Sequence, residues 1–421
     1  ELFREQHGRA PLHDGELSGF LAQQSRLESA SVAGFDLTFS PVKSVSSLWA
    51  VADPAVSTKI EAAHDAAVAK TLAHLEATAV YTRLGPRGVR QVDVTGLIAA
   101  QFRHRDSRAG DPDLHTHIAI ANKVQTLDGR WMALDGRMIY RAAVTASEFY
   151  NTALEAEITA WIGGRFTERE TTPGKRPIRE LAGVDENLMR RWSTRRQAIE
   201  AATGDLAAQF VAAHGRVPTA VETLRLAQQA TLATRQAKHE PRSLAEQRQA
   251  WRAQAVQILG GEPRLMAMLC DVHATVAAAP ITAELVDELA AETVATVSAS
   301  RARWREANLH AEAIRQVRAA GIDPAQVLEQ ARFVTHRAMS PDHSIAIGAD
   351  TDVTPDDCVP AHLRRADGSS QFRVAGGQQL TSPAVLDAER RIIATAGQVG
   401  ARTISISDVE LAMLEWSANN A

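Results

Sequence analysis

Near residue 138 the hydrophobic period of the sequence changes. Before it, apolar residues recur at every second position in several short runs. After it, long Ala/Glu/Arg-rich runs repeat every three or four positions. The first pattern is that of a half-buried strand and the second that of an amphipathic helix. An α+β fold with a mostly helical extension is therefore expected, and 421 residues are enough for two or three cores.

The strand pattern is clearest in Gly34–Ser40, where Phe35, Leu37 and Phe39 alternate with Asp36, Thr38 and Ser40. Ser40-Pro41 then predicts an N-cap and first helical position, with Val42, Val45 and Trp49 on one stripe. A second helix is predicted from about Pro54 to Thr78. Residues 90–104 return to strand, with Val92, Val94, Ile98 and Phe102 in phase. A loop from Arg105 to Asp113 follows, then a strand from Leu114 to Val124. Asp128-Gly129 predicts a tight turn into a short strand around Trp131 to Leu134. Helices are predicted over 143–161, 186–202, 219–238, 242–258, 281–297, 300–319, 323–332 and 382–396, with a mixed region at 333–376 and a domain boundary between 255 and 285.

Composition excludes several classes. The hydrophobic share of 45% is globular, so disorder throughout is excluded. The two cysteines, Cys270 and Cys358, lie far apart and without metal-type spacing, which suits a reducing, cytoplasmic setting. Apolar runs are too short for a transmembrane helix. The opening at Glu1-Leu2-Phe3, without Met, reads as a fragment of a longer protein. Net charge is −4, yet residues 81–141 hold ten Lys+Arg against six Asp+Glu. That local excess fits a phosphate-binding surface, and equally an uneven spread of arginines.

Of fourteen histidines, His115 and His117 are the pair spaced two apart on a predicted strand, so both imidazoles face one way. His104 ends the preceding strand and comes near them if the two strands form a hairpin. Three neutral imidazoles make an open metal site, with positions left for substrate. An HxH pair is not rare in a chain with this many histidines, so solvent-facing residues are the competing reading. Lys43 and Ser44 fall in the first turn of the helix after the Asp36 strand, where a phosphate or plain solvent would be accommodated. Arg103, Arg105 and Arg108 flank the motif and could hold a DNA backbone or simply be solvated. Trp161, Trp192 and Trp251 read as core. No phosphate-cradling GxxxxGK[ST] motif is present, so no ATP site is expected.

The whole string His104-Arg-Asp-Ser-Arg-Ala-Gly-Asp-Pro-Asp-Leu-His115-Thr-His117, with Asn122 five positions on, resembles the signature of conjugative relaxases of the TrwC/TraI type, the MobF group of HUH endonucleases. Gly34-Phe35-Asp36-Leu37-Thr38-Phe39-Ser40-Pro41-Val42-Lys43-Ser44-Val45-Ser46 and Asp128-Gly129-Arg130-Trp131-Met132-Ala133-Leu134-Asp135 are similar too. The resemblance is dense over 34–165 and thinner to about 255. It implies an antiparallel sheet with the histidine cluster on its face and helices behind. It implies a relaxase domain at 1–260 and a helical segment, 261–421, leading toward a helicase domain.

The resemblance further implies site- and strand-specific nicking and joining of single-stranded or hairpin DNA at an origin of transfer, alongside other transfer-apparatus proteins. His104, His115 and His117 would hold a divalent metal: Zn, Mn, Ni, Co or Mg. Asp36 would orient a ligating imidazole or accept the proton of an attacking tyrosine. The family's tyrosines lie near the N-terminus, and residues 1–40 contain none. Tyr81, Tyr140 and Tyr150 match no family position, so no nucleophile is assigned and this chain alone is expected not to nick DNA. A rolling-circle replication initiator and a non-catalytic metal- and DNA-binding module are the alternatives.

Overall fold

The computed structural model describes residues 32–169, 176–237, 240, 242–273, 278–348, 358–398 and 405–419, with a few isolated positions before 32. Most of residues 1–31, and 349–357 of the mixed region, lie outside them. Strand β1 (Gly34–Phe39) leads into helices α1 (Lys43–Val51) and α2 (Pro54–Ala79). The hairpin β2 (Tyr81–Leu84) and β3 (Arg90–Asp93) follows, then β4 (Ala99–Asp106) and β5 (Pro112–Ala121). After the small hairpin β6 (Val124–Gln125) and β7 (Trp131–Met132) comes the long helix α3 (Gly136–Ile162).

The main described sheet has three strands in the order β1-β5-β4, all antiparallel. On β5 the even positions Leu114, Thr116, Ile118 and Ile120 are buried, while the odd positions His115, His117, Ala119 and Ala121 face outward. The buried face packs on α2 and α3. Helix α2 earns that place by its stripe of Ile60, Ala63, His64, Ala67, Val68, Thr71 and Leu75. Its first turn is capped by Asp53, which accepts from the Ala55 and Val56 amides at 2.8 and 3.0 Å, with Pro54 at the first helical position. Each fully buried aliphatic side chain such as Leu114 or Ile118 contributes about 1.5–3 kcal/mol. Trp49, wholly buried, meets Trp251 at 5.6 Å between ring centroids.

Three local expectations need correction. Helix α1 begins at Lys43 with Val42 at the N-cap and no side-chain cap, so Ser40-Pro41 does not start it. Residues 90–104 are two strands in different sheets, broken at Gly96 with φ +141°, a conformation a side chain disfavours. The loop is shorter than Arg105–Asp113, because β4 runs to Asp106 and β5 starts at Pro112. Unanticipated are the β2 strand and a hairpin of β8 (Phe166–Arg169) and β9 (Ile178–Leu181).

Beyond β9, helices α4 (Glu186–Arg191), α5 (Thr194–His214), α6 (Ala220–Ala233), α7 (Leu244–Leu259) and α8 (Glu262–Asp271) follow. The predicted 186–202 helix is thus split at Trp192-Ser193. Trp251, Leu265, Met268 and Val272 belong to the core that contains the sheet. A second core gathers on α9 (Ala283–Ser300), α10 (Glu306–Ala319) and α11 (Val327–Ala338). The strand pair β10 (Ile345–Ile347) and β11 (Gln379–Thr381) lies beside it, and α12 (Pro383–Ala396) and α13 (Ile406–Asn419) complete the chain. No described helix is long and apolar enough to cross a membrane.

Candidate functional site

The outward face of the sheet collects the histidines. His104 pairs directly with His115 across β4 and β5, while His117 lies between Phe102 on β4 and Thr38 on β1. Ring centroids are 5.1 Å apart for His104–His115 and 5.3 Å for both His104–His117 and His115–His117. The period of two puts all three on one face, and the β4–β5 register closes the triangle.

Each ring on β5 has one nitrogen already committed. His115 Nδ1 donates to the Asp113 carbonyl at 2.7 Å. His117 Nδ1 faces the Asp36 carboxylate at 2.8 and 3.0 Å and the Thr38 hydroxyl at 3.2 Å. With the proton on Nδ1, both rings keep the Nε2 lone pair for a cation. This is the pattern in which an outer carboxylate fixes the orientation of a metal-binding imidazole. The donor set suits a divalent ion, although His104 and His115 lie stacked within 13° of parallel, which is a packing geometry. As the side chains stand, no group of three His, Cys, Asp or Glu among the described residues is arranged to hold a metal.

The basic residues are placed less simply. Ser44 is fully buried: its amide and hydroxyl donate to the Glu180 carboxylate at 3.0 and 2.6 Å, and the Leu181 amide donates back to its hydroxyl. The predicted phosphate site at this helix start is filled by an internal carboxylate, so Ser44 is not a surface contact. Lys43 donates to the Pro112 carbonyl at 2.7 Å. Burial pushes its pKa down, opposed by Asp113, Asp111 and Glu180. It lines a cleft of about 980 Å³ with Asp113, Arg169, Arg190 and Arg196. Arg103 turns to the helical side and pairs with Glu61 at 3.0 Å and with Asp65; its charge is neutralised there. Arg105 lies half-buried at the bulge between His104 and Asp106. Arg108 donates to the Gln236 carbonyl at 3.0 Å, tying the loop to the helical segment.

None of the three tyrosines reaches the histidine face. Tyr81 and Tyr150 are buried, and Tyr140, 74% exposed, packs edge-on at 6.0 Å against Phe35, which points to the helical side. Trp192 and Trp251 are core, whereas Trp161 is 40% exposed. Sequence reasoning missed a buried chain beneath β5. His64 bridges the Tyr150 hydroxyl at 2.7 Å and the Thr116 hydroxyl at 2.8 Å. Burial pushes the His64 pKa down to about 4, so the ring is neutral. The one available signal was its position on the apolar stripe of α2.

The TrwC relaxase family profile matches residues 3–258. The multifunctional conjugation protein TraI of Escherichia coli is 32% identical over 193 residues, covering 44% of this chain and 10% of that protein. Its counterpart in Escherichia coli strain K12 is 31% identical over 197 residues, with the same coverage. The chain thus spans about a tenth of the length of these curated relatives. Among solved structures, a metal-bound conjugative relaxase TrwC in complex with oriT DNA aligns with 57% of this chain and 76% of its own, at 33% identity and a TM-score of 0.45. A copper-bound form of that complex covers 62% and 86%, at 31% identity and the same TM-score. The profile takes in more than half of the sequence, including the strand with Asp36 and the hairpin with the three histidines: the chain belongs to the TrwC relaxase family.

Proposed function

We propose that this chain is the metal- and DNA-binding part of a conjugative relaxase, an enzyme that cuts and rejoins one strand of single-stranded or hairpin DNA at an origin of transfer. The observation that carries this reading is the cluster of three imidazoles on one open sheet face, with a carboxylate behind His117, in a chain of this family. His104, His115 and His117 would hold a divalent ion, of which Zn, Mn, Ni, Co and Mg are the candidates. Once bound, the ion supplies positive charge to the non-bridging oxygens of the scissile phosphate. Asp36 keeps the His117 proton on Nδ1, and its exposed carboxylate can take the proton of an attacking hydroxyl. Lys43, Arg105 and Arg108 are the candidate backbone contacts; Ser44 and Arg103 are withdrawn from that set. We further take the DNA-processing region to run past the expected boundary at 260 as far as Val272, since Leu265, Met268 and Val272 pack in the core with the sheet, and the remainder up to 421 as a mostly helical connection toward a helicase domain. Action in the cytoplasm, beside other transfer proteins, follows from the same reading.

A non-catalytic metal- and DNA-binding module is the second reading, favoured by the placement of the three tyrosines away from the histidine face. A covalent phosphodiester needs a side-chain hydroxyl in line with phosphorus, within about 3–3.5 Å before reaction. Two measurements test the main reading. Calorimetric titration with Mn²⁺ or Zn²⁺ should give one site in wild type and none in His115→Ala or His117→Ala. Affinity for an oligothymidylate should fall steeply with salt, as counterion release demands. Equal metal binding in all three proteins, or a flat salt dependence, would overturn it. On a denaturing gel this 421-residue chain should form no covalent DNA adduct; an adduct lost on Tyr140→Phe would overturn the assignment of no nucleophile.

A further inference from the structure

We propose that Phe102 is the platform on which the DNA base next to the histidine-held phosphate stacks. The inference rests on the DNA reading above and adds a substrate contact to it. Phe102 pairs directly with His117 across β4 and β5, so both side chains rise from the same face. Side chains in that relation have Cβ atoms about 4.5–5.5 Å apart. Yet Phe102 is 54% exposed, although an aromatic ring is the costliest kind of side chain to leave in water.

The surroundings define what can cover it. Further along the face, the next row is Ala100, Ala119 and Asp36. Two of these are methyl groups, so one flank of the ring is a low shelf. In its own row stand His117 and Thr38, and in the row beyond it His104 and His115. One ring on a polar, imidazole-lined face is a poor seat for an apolar protein surface, which would bury those polar groups unpaired. A nucleobase fits: it is flat, it is joined through one sugar to a phosphate, and its edges stay polar. Stacking accepts every base, because every base has a π-face. The histidines would thus fix the phosphate and Phe102 the adjoining base, setting where along the strand the phosphate comes to rest.

The test compares affinity for an oligothymidylate with that for an abasic sugar–phosphate strand of equal length, in wild type, Phe102→Ala, Phe102→Leu and Phe102→Trp. Wild type should prefer the base-bearing strand by about tenfold or more. Phe102→Ala and Phe102→Leu should lose most of that preference, and Phe102→Trp should keep it. All four should melt alike and bind Mn²⁺ alike, since Phe102 is exposed and offers no metal ligand. A preference unchanged in Phe102→Ala, or kept in Phe102→Leu, overturns stacking. A wild type that binds both strands equally overturns it too, while leaving the DNA reading intact. A wild type that binds neither strand overturns both.

Discussion

Asp36 and His117 meet diagonally across β1 and β5, and the tautomer of the imidazole follows from that contact. A carboxylate accepting from Nδ1 leaves Nε2 as the lone-pair nitrogen and makes it a better donor to a cation. Asp36→Asn keeps the shape and removes the charge, so metal affinity should drop about 10- to 100-fold in calorimetric titration with Mn²⁺. Unchanged affinity would reduce Asp36 to a surface residue. The two β5 histidines were legible because strand period places i and i+2 together. That Asp36 meets one of them came only from the family resemblance, because phase along a strand says nothing about register between strands. Asp36 lies opposite Ala119, and a register shifted by one residue would have turned it away. The His64 bridge was illegible for a related reason: its partners Thr116 and Tyr150 come from elements far along the chain.

At the scale of the element, α1 shows why a motif read locally can mislead. Its residues from Ser44 to Val51 are all buried. A helix so enclosed cannot leave its first amides to solvent or to a visiting phosphate, and must satisfy them from within the fold. Glu180 does this from β9, a strand that the sequence reading did not contain. The same carboxylate meets Arg169 at 3.3 Å, so α1 and the β8–β9 hairpin share one polar joint. Ser44→Ala removes a hydroxyl that both donates to Glu180 and accepts from Leu181. It should cost about 1–3 kcal/mol in urea unfolding, the usual consequence of leaving a buried group unpaired. Affinity for single-stranded DNA should stay as in wild type. A variant of normal stability with weakened DNA binding would return Ser44 to the DNA surface.

At the scale of the whole molecule, the period change near residue 138 was legible, because helix faces advertise themselves by spacing alone. The meeting of the two cores was not, since it depends on side chains from α2, α3 and α10 that have no sequence proximity. On α3, Glu148 accepts from Arg315 and Arg318 of α10 at 2.8 Å each, and Thr145 donates to the Ala307 carbonyl at 2.9 Å. Beside these, His74 of α2 stacks on Phe149 at 4.4 Å and lies 6.1 Å from His310 of α10.

This seam carries a pH dependence whose sign follows from burial. His310 is pushed down to about 4, first by desolvation and then by His74 and Arg332; His74 is lowered by desolvation and Arg332. The unfolded chain titrates near the ordinary value of about 6.5, so between that pH and about 4 it binds protons that the folded chain refuses. Stability contributed by neutral His310 is therefore full above about 6.5 and falls away as the pH drops to about 4, by up to about 3 kcal/mol. His64, also pushed down to about 4 in the first core, acts in the same direction. Charging His310 next to His74 and Arg332 would add repulsion between α2, α10 and α11, where the two cores meet. Melting temperature followed from pH 7 to 4 should therefore decline, and His310→Phe should flatten part of that decline. A profile equally steep in the variant would mean that the seam histidine is already charged or already solvated, and that the acid sensitivity resides in His64 and the carboxylates.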